Sequence, residues 1–124
     1  MDEGSVCVLI PSVRNSEELA IVLEGLSSQD YTGPLEIVVV GPGNDPGKAV
    51  AESLGARFID DGGVRTRADA CNVGIEQTES EFVFFTDDDV IVPSNWISSL
   101  IKWFERPEVA GVGGPNFAPK KEST

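Results

Sequence analysis

The sequence has no histidine, only two cysteines and no apolar run long enough to cross a membrane. Two cysteines in 124 residues cannot form the disulfide framework of a small secreted domain, and Cys7 and Cys71 are interpreted as small buried apolar residues. The apolar segments at 35–40, which Glu36 interrupts, and at 82–85 are strand-sized, whereas a membrane helix needs about 18 apolar residues. No basic segment followed by an apolar stretch opens the chain. We therefore expect one domain at 1–124, located in the reducing cytoplasm.

Basic residues are also scarce. Nine lysines and arginines stand against 21 aspartates and glutamates, which gives a formal net charge of −12. So acidic a chain repels nucleic-acid phosphates, and this argues against an extended nucleic-acid-binding surface. Most of the charge is typical of a soluble, self-repelling surface or of adaptation to high salt. Three of the acids are consecutive, however: Asp87, Asp88 and Asp89.

Short apolar segments alternate with amphipathic segments along the chain. The predicted strands are residues 6–10, 35–40, 56–59, 81–86 and 109–112. The predicted helices are residues 16–26 with Ser16 as N-cap, about 49–55, 66–77, and 95–105 with Ser94 as N-cap. Strands that are apolar on both faces and alternate with helices form a parallel sheet that is covered on two sides. The sequence therefore predicts a three-layer α/β/α fold with a mostly parallel sheet.

One edge of that sheet is the expected ligand site. Right-handed crossovers place every strand-to-helix loop at the carboxyl ends of the strands, where open sheets of this kind bind their ligands. The loops that we single out are residues 11–15, 41–47 and 87–93. The three consecutive aspartates lie in the last of these loops, immediately after an apolar strand.

Three adjacent carboxylates at a ligand-binding edge favour a cation. Close carboxylates repel one another, which favours either protonation or a bound metal ion. If the extended conformation persists beyond the strand, Asp87 and Asp89 point to one side and Asp88 points to the other. Carboxylate oxygens on a loop suit Mg²⁺ or Mn²⁺, which take further ligands from water and from a substrate's phosphates. A metal ion that bridges a diphosphate stabilises the charge on a departing phosphate group.

Five motifs, in order, cover nearly the whole chain. They are Val-Leu-Ile-Pro-Ser at 8–12, Leu-Glu-Ile-Val-Val-Val at 35–40, Ala-Cys-Asn-Val-Gly-Ile at 70–75, Phe-Phe-Thr-Asp-Asp-Asp at 84–89 and Val-Ala-Gly-Val-Gly-Gly at 109–114. In sequence and order they resemble family 2 glycosyltransferases, from about residue 6 to residue 116. The resemblance implies the GT-A fold, in which a nucleotide-binding half precedes an acceptor-binding half. It also implies metal-dependent transfer of a sugar from a nucleotide diphosphate donor, mostly with inversion.

The resemblance also implies which residues form the donor site. Asp89 is the implied leading metal ligand, together with Asp87, and the ion is Mg²⁺ or Mn²⁺. Asp87 and Asp88 share contacts with the nucleotide, while Pro11 and Ser12 match the loop that lines the nucleoside pocket. The donor expected is a UDP-sugar.

Two arginines and a further aspartate complete the expected site. Arg14 or Arg67 is expected to pair with the diphosphate, because a guanidinium group suits bidentate phosphate contacts, and Arg65 is a weaker candidate. The family commonly has an aspartate after the second strand that reads the base, whereas this chain has Gly-Pro-Gly-Asn-Asp at 41–45. We expect Asp45 to take that role from a shifted loop.

The catalytic base of the family lies in its acceptor-binding half, which would follow Thr124. Inverting transfer needs a carboxylate that takes the acceptor's proton. We therefore expect the chain to be the N-terminal, donor-binding half of a longer enzyme, inactive by itself and ending in a polar tail at 117–124. The acceptor is unknown, and the full protein is expected in the cytoplasm or at the cytoplasmic face of a membrane. The alternative is a module that binds nucleotide-sugar without turnover, or that assembles with a partner or with itself.

Other classes of nucleotide-related domain fit the sequence less well. A response-regulator receiver needs an acidic pair after the first strand and a lysine after the fifth, and this chain has neither. A nucleotidyltransferase needs a glycine-rich loop with a following basic residue after the first strand, which Ser-Val-Arg-Asn at 12–15 does not provide. Glycines at 41, 43 and 47 imitate a dinucleotide-binding motif, but their spacing is wrong and they follow the second strand.

Overall fold

The computed structural model of the protein describes residues 4–64 and 66–102. Its strands are β1 (Val6–Pro11), β2 (Leu35–Gly41), β3 (Arg57–Asp60) and β4 (Phe82–Phe85). Its helices are α1 (Ser16–Leu26), α2 (Gly47–Ser53), α3 (Arg67–Glu76) and α4 (Trp96–Ile101). The predicted strand at 109–112, the polar tail at 117–124 and Arg65 lie outside the described residues. Within 4–64 and 66–102, no helix has the length and apolar character needed to span a bilayer.

The four described strands form one parallel sheet in the order β3-β2-β1-β4. The pairing of β1 with β2 ends with Pro11 opposite Val40, and the pairing of β2 with β3 ends with Gly41 opposite Asp60. Because the strands are parallel and end nearly level, the loops that follow them share one edge of the sheet. The predicted α/β fold with a mostly parallel sheet is confirmed.

The central strand β1 is buried along its whole length. Val6, Val8 and Ile10 belong to a cluster that includes side chains of α1 and α4, whereas Cys7 and Leu9 belong to a second cluster with α3. Since side chains alternate along a strand, these two clusters lie on opposite faces of the sheet. The two faces and the helices on them give the three predicted layers. Burial also raises the pKa of the Cys7 thiol above its ordinary value, which keeps the sulfur protonated.

Two predicted helix caps are wrong by one residue. Asn15 and Asn95, rather than Ser16 and Ser94, occupy the N-cap positions of α1 and α4. Their carbonyl oxygens each accept a backbone N–H from four residues further along, both at 2.9 Å, which begins the helical ladder. The carbonyl oxygen of Ser94 instead accepts the backbone N–H of Asp30 at 2.9 Å.

Candidate functional site

The loops that follow the strands enclose a cavity of about 320 Å³ at the carboxyl edge of the sheet. This is the edge at which the parallel topology predicts a ligand site. Every described strand contributes its end or its following loop, and the start of α3 forms a further part of the wall. Six of the lining residues are Pro11, Ser12, Val40, Asp61, Arg67 and Asp88.

A second cavity, of about 420 Å³, lies at the opposite edge, beside the amino ends of β2 and β3. Two of its lining residues, Arg57 and Glu36, form an ion pair with an N–O distance of 3.4 Å. Although it is larger, this cavity is remote from the consecutive aspartates. We place the candidate site in the smaller cavity, because polar side chains from several loops converge there at the ligand-binding edge of the sheet.

The extended conformation does not persist through the three aspartates. β4 ends at Phe85, and Asp88 and Asp89 lie in a turn. The alternation of side chains that an extended strand would impose on the triplet is therefore absent here. Asp87 and Asp88 are half-buried and Asp89 is exposed. Individual partners, rather than strand geometry, decide where the first two carboxylates lie.

Asp88 is joined to the end of β1. The Ser12 hydroxyl donates a hydrogen bond to Asp88 Oδ2 at 2.9 Å, and the Ser12 side chain is buried. Both residues line the cavity. A hydrogen bond to a carboxylate is stronger than one between neutral groups, so this contact positions the loop after β4 over the neighbouring strand β1.

Asp87 forms an ion pair with Arg67, at the first turn of α3. The two side chains are 41% and 60% exposed, respectively, and an ion pair this exposed contributes little to stability. Both groups can therefore exchange partners at small cost. The guanidinium group is available to a phosphate and the carboxylate is available to a cation.

A metal ion at this edge would need ligands besides the protein's carboxylates. Among residues 4–64 and 66–102, no three acidic or cysteine side chains come close enough together to form a metal site by themselves. Mg²⁺ usually takes one or two carboxylates and completes its shell with water and substrate phosphates. Asp87 and the exposed Asp89 have the right chemistry for such a site.

Asp45 occupies a different position from the one expected of a base-reading residue. Its carboxylate is buried, with Oδ1 accepting the backbone N–H of Arg14 at 2.7 Å and Oδ2 accepting that of Gly47 at 2.8 Å. Arg14 has a φ of 57°, in the left-handed region that non-glycine residues seldom adopt. Asp45 thus ties the loop after β1 to the loop after β2 and holds an unfavourable backbone conformation in place.

The end of β2 approaches β1 too closely for a side chain at position 41. A Cβ built at Gly41 would overlap the carbonyl oxygen of Ser12. An aspartate at position 41, directly after the predicted strand at 35–40, would therefore require the two strand ends to separate. The close approach of the two strand ends therefore favours glycine at position 41.

Replacing Gly41 with alanine is expected to lower the free energy of unfolding by about 2 kcal/mol, because the clash is with backbone. Gly25→Ala is the matched control, since a Cβ there meets no atom within 4 Å of the described structure and the site is in helix α1. The control should be neutral or stabilising by up to about 1 kcal/mol. Urea unfolding of both variants measures the difference, and equal stabilities would contradict the close approach.

Asp61 is a site residue that the sequence analysis missed. It is buried and lines the cavity, its Oδ1 accepts the backbone N–H of Gly63 at 2.8 Å, and its own N–H donates to Gly41 O at 2.8 Å. Asp60 makes the same turn with Gly62 at 2.9 Å but is exposed. The signal that could have found Asp61 was its position after the third strand, at the same edge as the loops singled out.

The structure therefore brings together only some of the predicted site residues. Those at the cavity wall are Pro11, Ser12, Arg67 and Asp88. Asp87 is held beside this group by Arg67. Asp89 lies exposed in the neighbouring turn, whereas Asp45 accepts the backbone N–H of Arg14 and so connects the loops after β1 and β2.

Solved structures that share this fold include a mannosyltransferase. The mannosyltransferase PcManGT from Pyrobaculum calidifontis, in complex with GDP-Man and Mn²⁺, matches with a TM-score of 0.76 and 26% identity over 86% of this chain and 34% of that one. Residues 1–349 of TarS from S. aureus, in complex with UDP-GlcNAc, match with a TM-score of 0.68 and 22% identity over 90% of this chain and 37% of that fragment. The described sheet is thus that of the GT-A glycosyltransferases.

The sequence matches glycosyl transferase family 2 over residues 7–124, and the chain belongs to that family. An N-acetylglucosaminyltransferase of Azorhizobium caulinodans is 26% identical over 94% of this chain and 32% of its own length. An N-acetylglucosaminyltransferase of Bradyrhizobium elkanii is 27% identical over 97% of this chain and 70% of its own length. The chain thus spans about a third of the Azorhizobium relative and of PcManGT.

Proposed function

We propose that this chain binds a nucleotide diphosphate-sugar together with a divalent metal ion, as the donor-binding part of an inverting glycosyltransferase. The observation that carries the proposal is the convergence of a buried hydroxyl, a guanidinium group and a carboxylate at one cavity, from Ser12, Arg67 and Asp88. The carboxylate of Asp87 lies beside them, paired with Arg67. The GDP-Man and Mn²⁺ bound to PcManGT and the UDP-GlcNAc bound to TarS support this choice of ligand.

The nucleotide contacts are assigned from the positions of the side chains. Pro11 and Ser12, at the end of β1, line the part of the cavity proposed for the nucleoside. Arg67 is the proposed diphosphate ligand, and its place in the first turn of α3 adds the positive end of a helix dipole. The exposed side chain of Arg14 is a second cationic group for the same diphosphate. Asp45 supports this binding indirectly, by fixing the Arg14 backbone.

The metal ligands proposed are Asp89 and Asp87, with Mg²⁺ or Mn²⁺ as the ion. When bound, the ion supplies positive charge to the departing diphosphate. Asp88, held by Ser12, is proposed to contact the nucleotide from the same turn. The carboxylate that takes the acceptor's proton is proposed to belong to an acceptor-binding half after Thr124. On this proposal the 124 residues bind donor without completing transfer.

Addition of UDP with Mn²⁺ is expected to raise the melting temperature of the protein. Ligand at one hundred times its Kd stabilises the folded state by about 2.7 kcal/mol, which corresponds to roughly 10 °C for a domain of this size. Asp89→Ala should remove the part of the increase that depends on Mn²⁺. Differential scanning calorimetry with UDP alone, Mn²⁺ alone and both together separates the contributions.

Glu52→Ala is the control for this experiment, because Glu52 is an exposed acid on α2, outside the cavity wall. It should leave the full metal-dependent increase in place. If millimolar nucleoside diphosphates with Mn²⁺ leave the melting temperature of the wild-type protein unchanged, the donor-binding proposal is wrong. If Asp89→Ala behaves like Glu52→Ala, the metal has been assigned to the wrong carboxylate.

A further inference from the structure

We propose that Asp61 selects the nucleobase of the donor. Its carboxylate accepts the ring N–H on the Watson–Crick edge of uracil or guanine, and it disfavours cytosine and adenine, which carry a lone pair at that position. This inference rests on the proposed function and adds to it the chemistry by which one class of nucleotide is preferred.

The first support is the state of the buried carboxylates at this edge. Within the described residues the two buried acids are Asp45 and Asp61. Both oxygens of Asp45 accept backbone N–H groups, one from Arg14 in the loop after β1 and one from Gly47 at the start of α2. Asp61 instead uses Oδ1 for the Gly63 N–H and borders the cavity. Its second oxygen therefore has acceptor capacity for a group that enters the cavity.

The second support is the surface around Asp61. The cavity wall also contains Pro11, Val40, Val64 and Ala70, all with apolar side chains. A flat base can pack against such a surface while its polar edge meets a single fixed acceptor. The turn through Gly63, together with the backbone bond from Asp61 to β2, holds that acceptor in place before ligand arrives.

The third support is the distance across the sheet. Asp61 follows β3 and Asp88 follows β4, at opposite ends of the order β3-β2-β1-β4. Three strand spacings separate these ends, which is about 14 Å. A nucleoside diphosphate is an extended molecule with its base at one end and its phosphates at the other. A base at Asp61 thus directs the diphosphate towards β4, where Arg67 pairs with Asp87.

The chemistry of a buried carboxylate makes this selection strong. An ionised carboxylate is only an acceptor of hydrogen bonds. Uracil N3–H and guanine N1–H can donate to it, whereas cytosine N3 and adenine N1 present a second acceptor. A base that cannot donate leaves the second oxygen of the Asp61 carboxylate desolvated without a new partner, which a site built around a hydrogen bond penalises.

Calorimetric titration of the protein with UDP, GDP, CDP and ADP in the presence of Mn²⁺ tests the inference. The tighter of UDP and GDP should bind at least about tenfold better than CDP or ADP, because CDP and ADP cannot form the charge-assisted hydrogen bond to Asp61. Comparison of UDP with GDP shows which of the two bases fits the cavity. If UDP is the tighter ligand, N3-methyl-UDP should bind about tenfold more weakly than UDP, and if GDP is tighter, the N1-methyl analogue of GDP serves instead.

Asp61→Asn tests the residue itself. The asparagine carbonyl can keep the bond to Gly63, while its amide offers a donor to cytosine N3. The preference for UDP over CDP should therefore shrink by about tenfold. Asp60→Asn is the matched control, because Asp60 makes the same kind of turn with Gly62 but is exposed, and it should keep the wild-type preference.

The possible failures are distinguishable. If no nucleoside diphosphate binds, the proposed function fails and this inference fails with it. If all four bind within about threefold of one another, or if Asp61→Asn keeps the wild-type order of affinities, Asp61 does not read the base although donor binding stands. The comparison of the four nucleotides and the methylated analogue on the wild-type protein decides the question even if the variant does not fold.

Discussion

Replacing Asp45 with alanine is expected to lower the free energy of unfolding by about 3 kcal/mol. The substitution removes two hydrogen bonds to a buried carboxylate, at 2.7 Å from the Arg14 N–H and 2.8 Å from the Gly47 N–H. It also releases the left-handed backbone of Arg14, which the first of these bonds holds. Urea unfolding followed by circular dichroism measures the loss, and the melting temperature should fall by roughly 12 °C.

Asp60→Ala is the control for Asp45→Ala. Asp60 also accepts a backbone N–H, from Gly62 at 2.9 Å, but its side chain is exposed. Water can replace that bond, so the control should cost less than about 1 kcal/mol. Equal losses of unfolding free energy in the two variants would show that the burial of Asp45 does not strengthen its hydrogen bonds.

Arg67→Ala is expected to lower the affinity for UDP with Mn²⁺ by about tenfold to a hundredfold. A bidentate, charge-assisted contact with a phosphate contributes about 1.5–3 kcal/mol, and alanine removes it entirely. Arg67→Lys should fall between alanine and the wild type, since it keeps the charge but loses the planar pair of donors. Calorimetric titration gives the affinities, and the unliganded melting temperature should change little because the ion pair with Asp87 is exposed.

Arg57→Ala is the matched control for Arg67→Ala. Arg57 forms a comparable exposed ion pair, with Glu36 at 3.4 Å, but at the opposite edge of the sheet. Its removal should leave the affinity for UDP unchanged. If Arg67→Ala lowers the affinity less than about threefold, Arg67 is not the diphosphate ligand, and Arg14 becomes the group to test.

The fold could be predicted because burial on both faces of a strand marks the sequence strongly. β1 is a continuous apolar run and β2 is apolar except for Glu36, and a sheet covered on both sides accommodates them. The helix starts were less certain for a local reason. Asn15 precedes Ser16, and Ser94 precedes Asn95, so each helix offers two adjacent residues suited to capping. Which carbonyl begins the ladder depends on contacts that a sequence does not show.

The site was less predictable than the fold. The proximity of Ser12, Arg67 and Asp88 followed from their places at strand and helix ends. Asp61 lies in Asp-Asp-Gly-Gly at 60–63, a sequence typical of exposed loops, and its burial depends on neighbouring loops. Asp45 was expected to meet the base, but its partners are backbone N–H groups, which every residue except proline carries and which leave no trace in a sequence pattern.

The ion pair between Arg67 and Asp87 has a consequence for how an anionic ligand enters so acidic a protein. The charge of each side chain is compensated by the other, so this pair adds no net charge beside the cavity. When a phosphate binds the Arg67 guanidinium and a cation binds the Asp87 carboxylate, two ion pairs replace one. The net local charge is unchanged where the charges of the phosphate group and the cation cancel. Binding of such a ligand is then an exchange of ion-pair partners at Arg67 and Asp87.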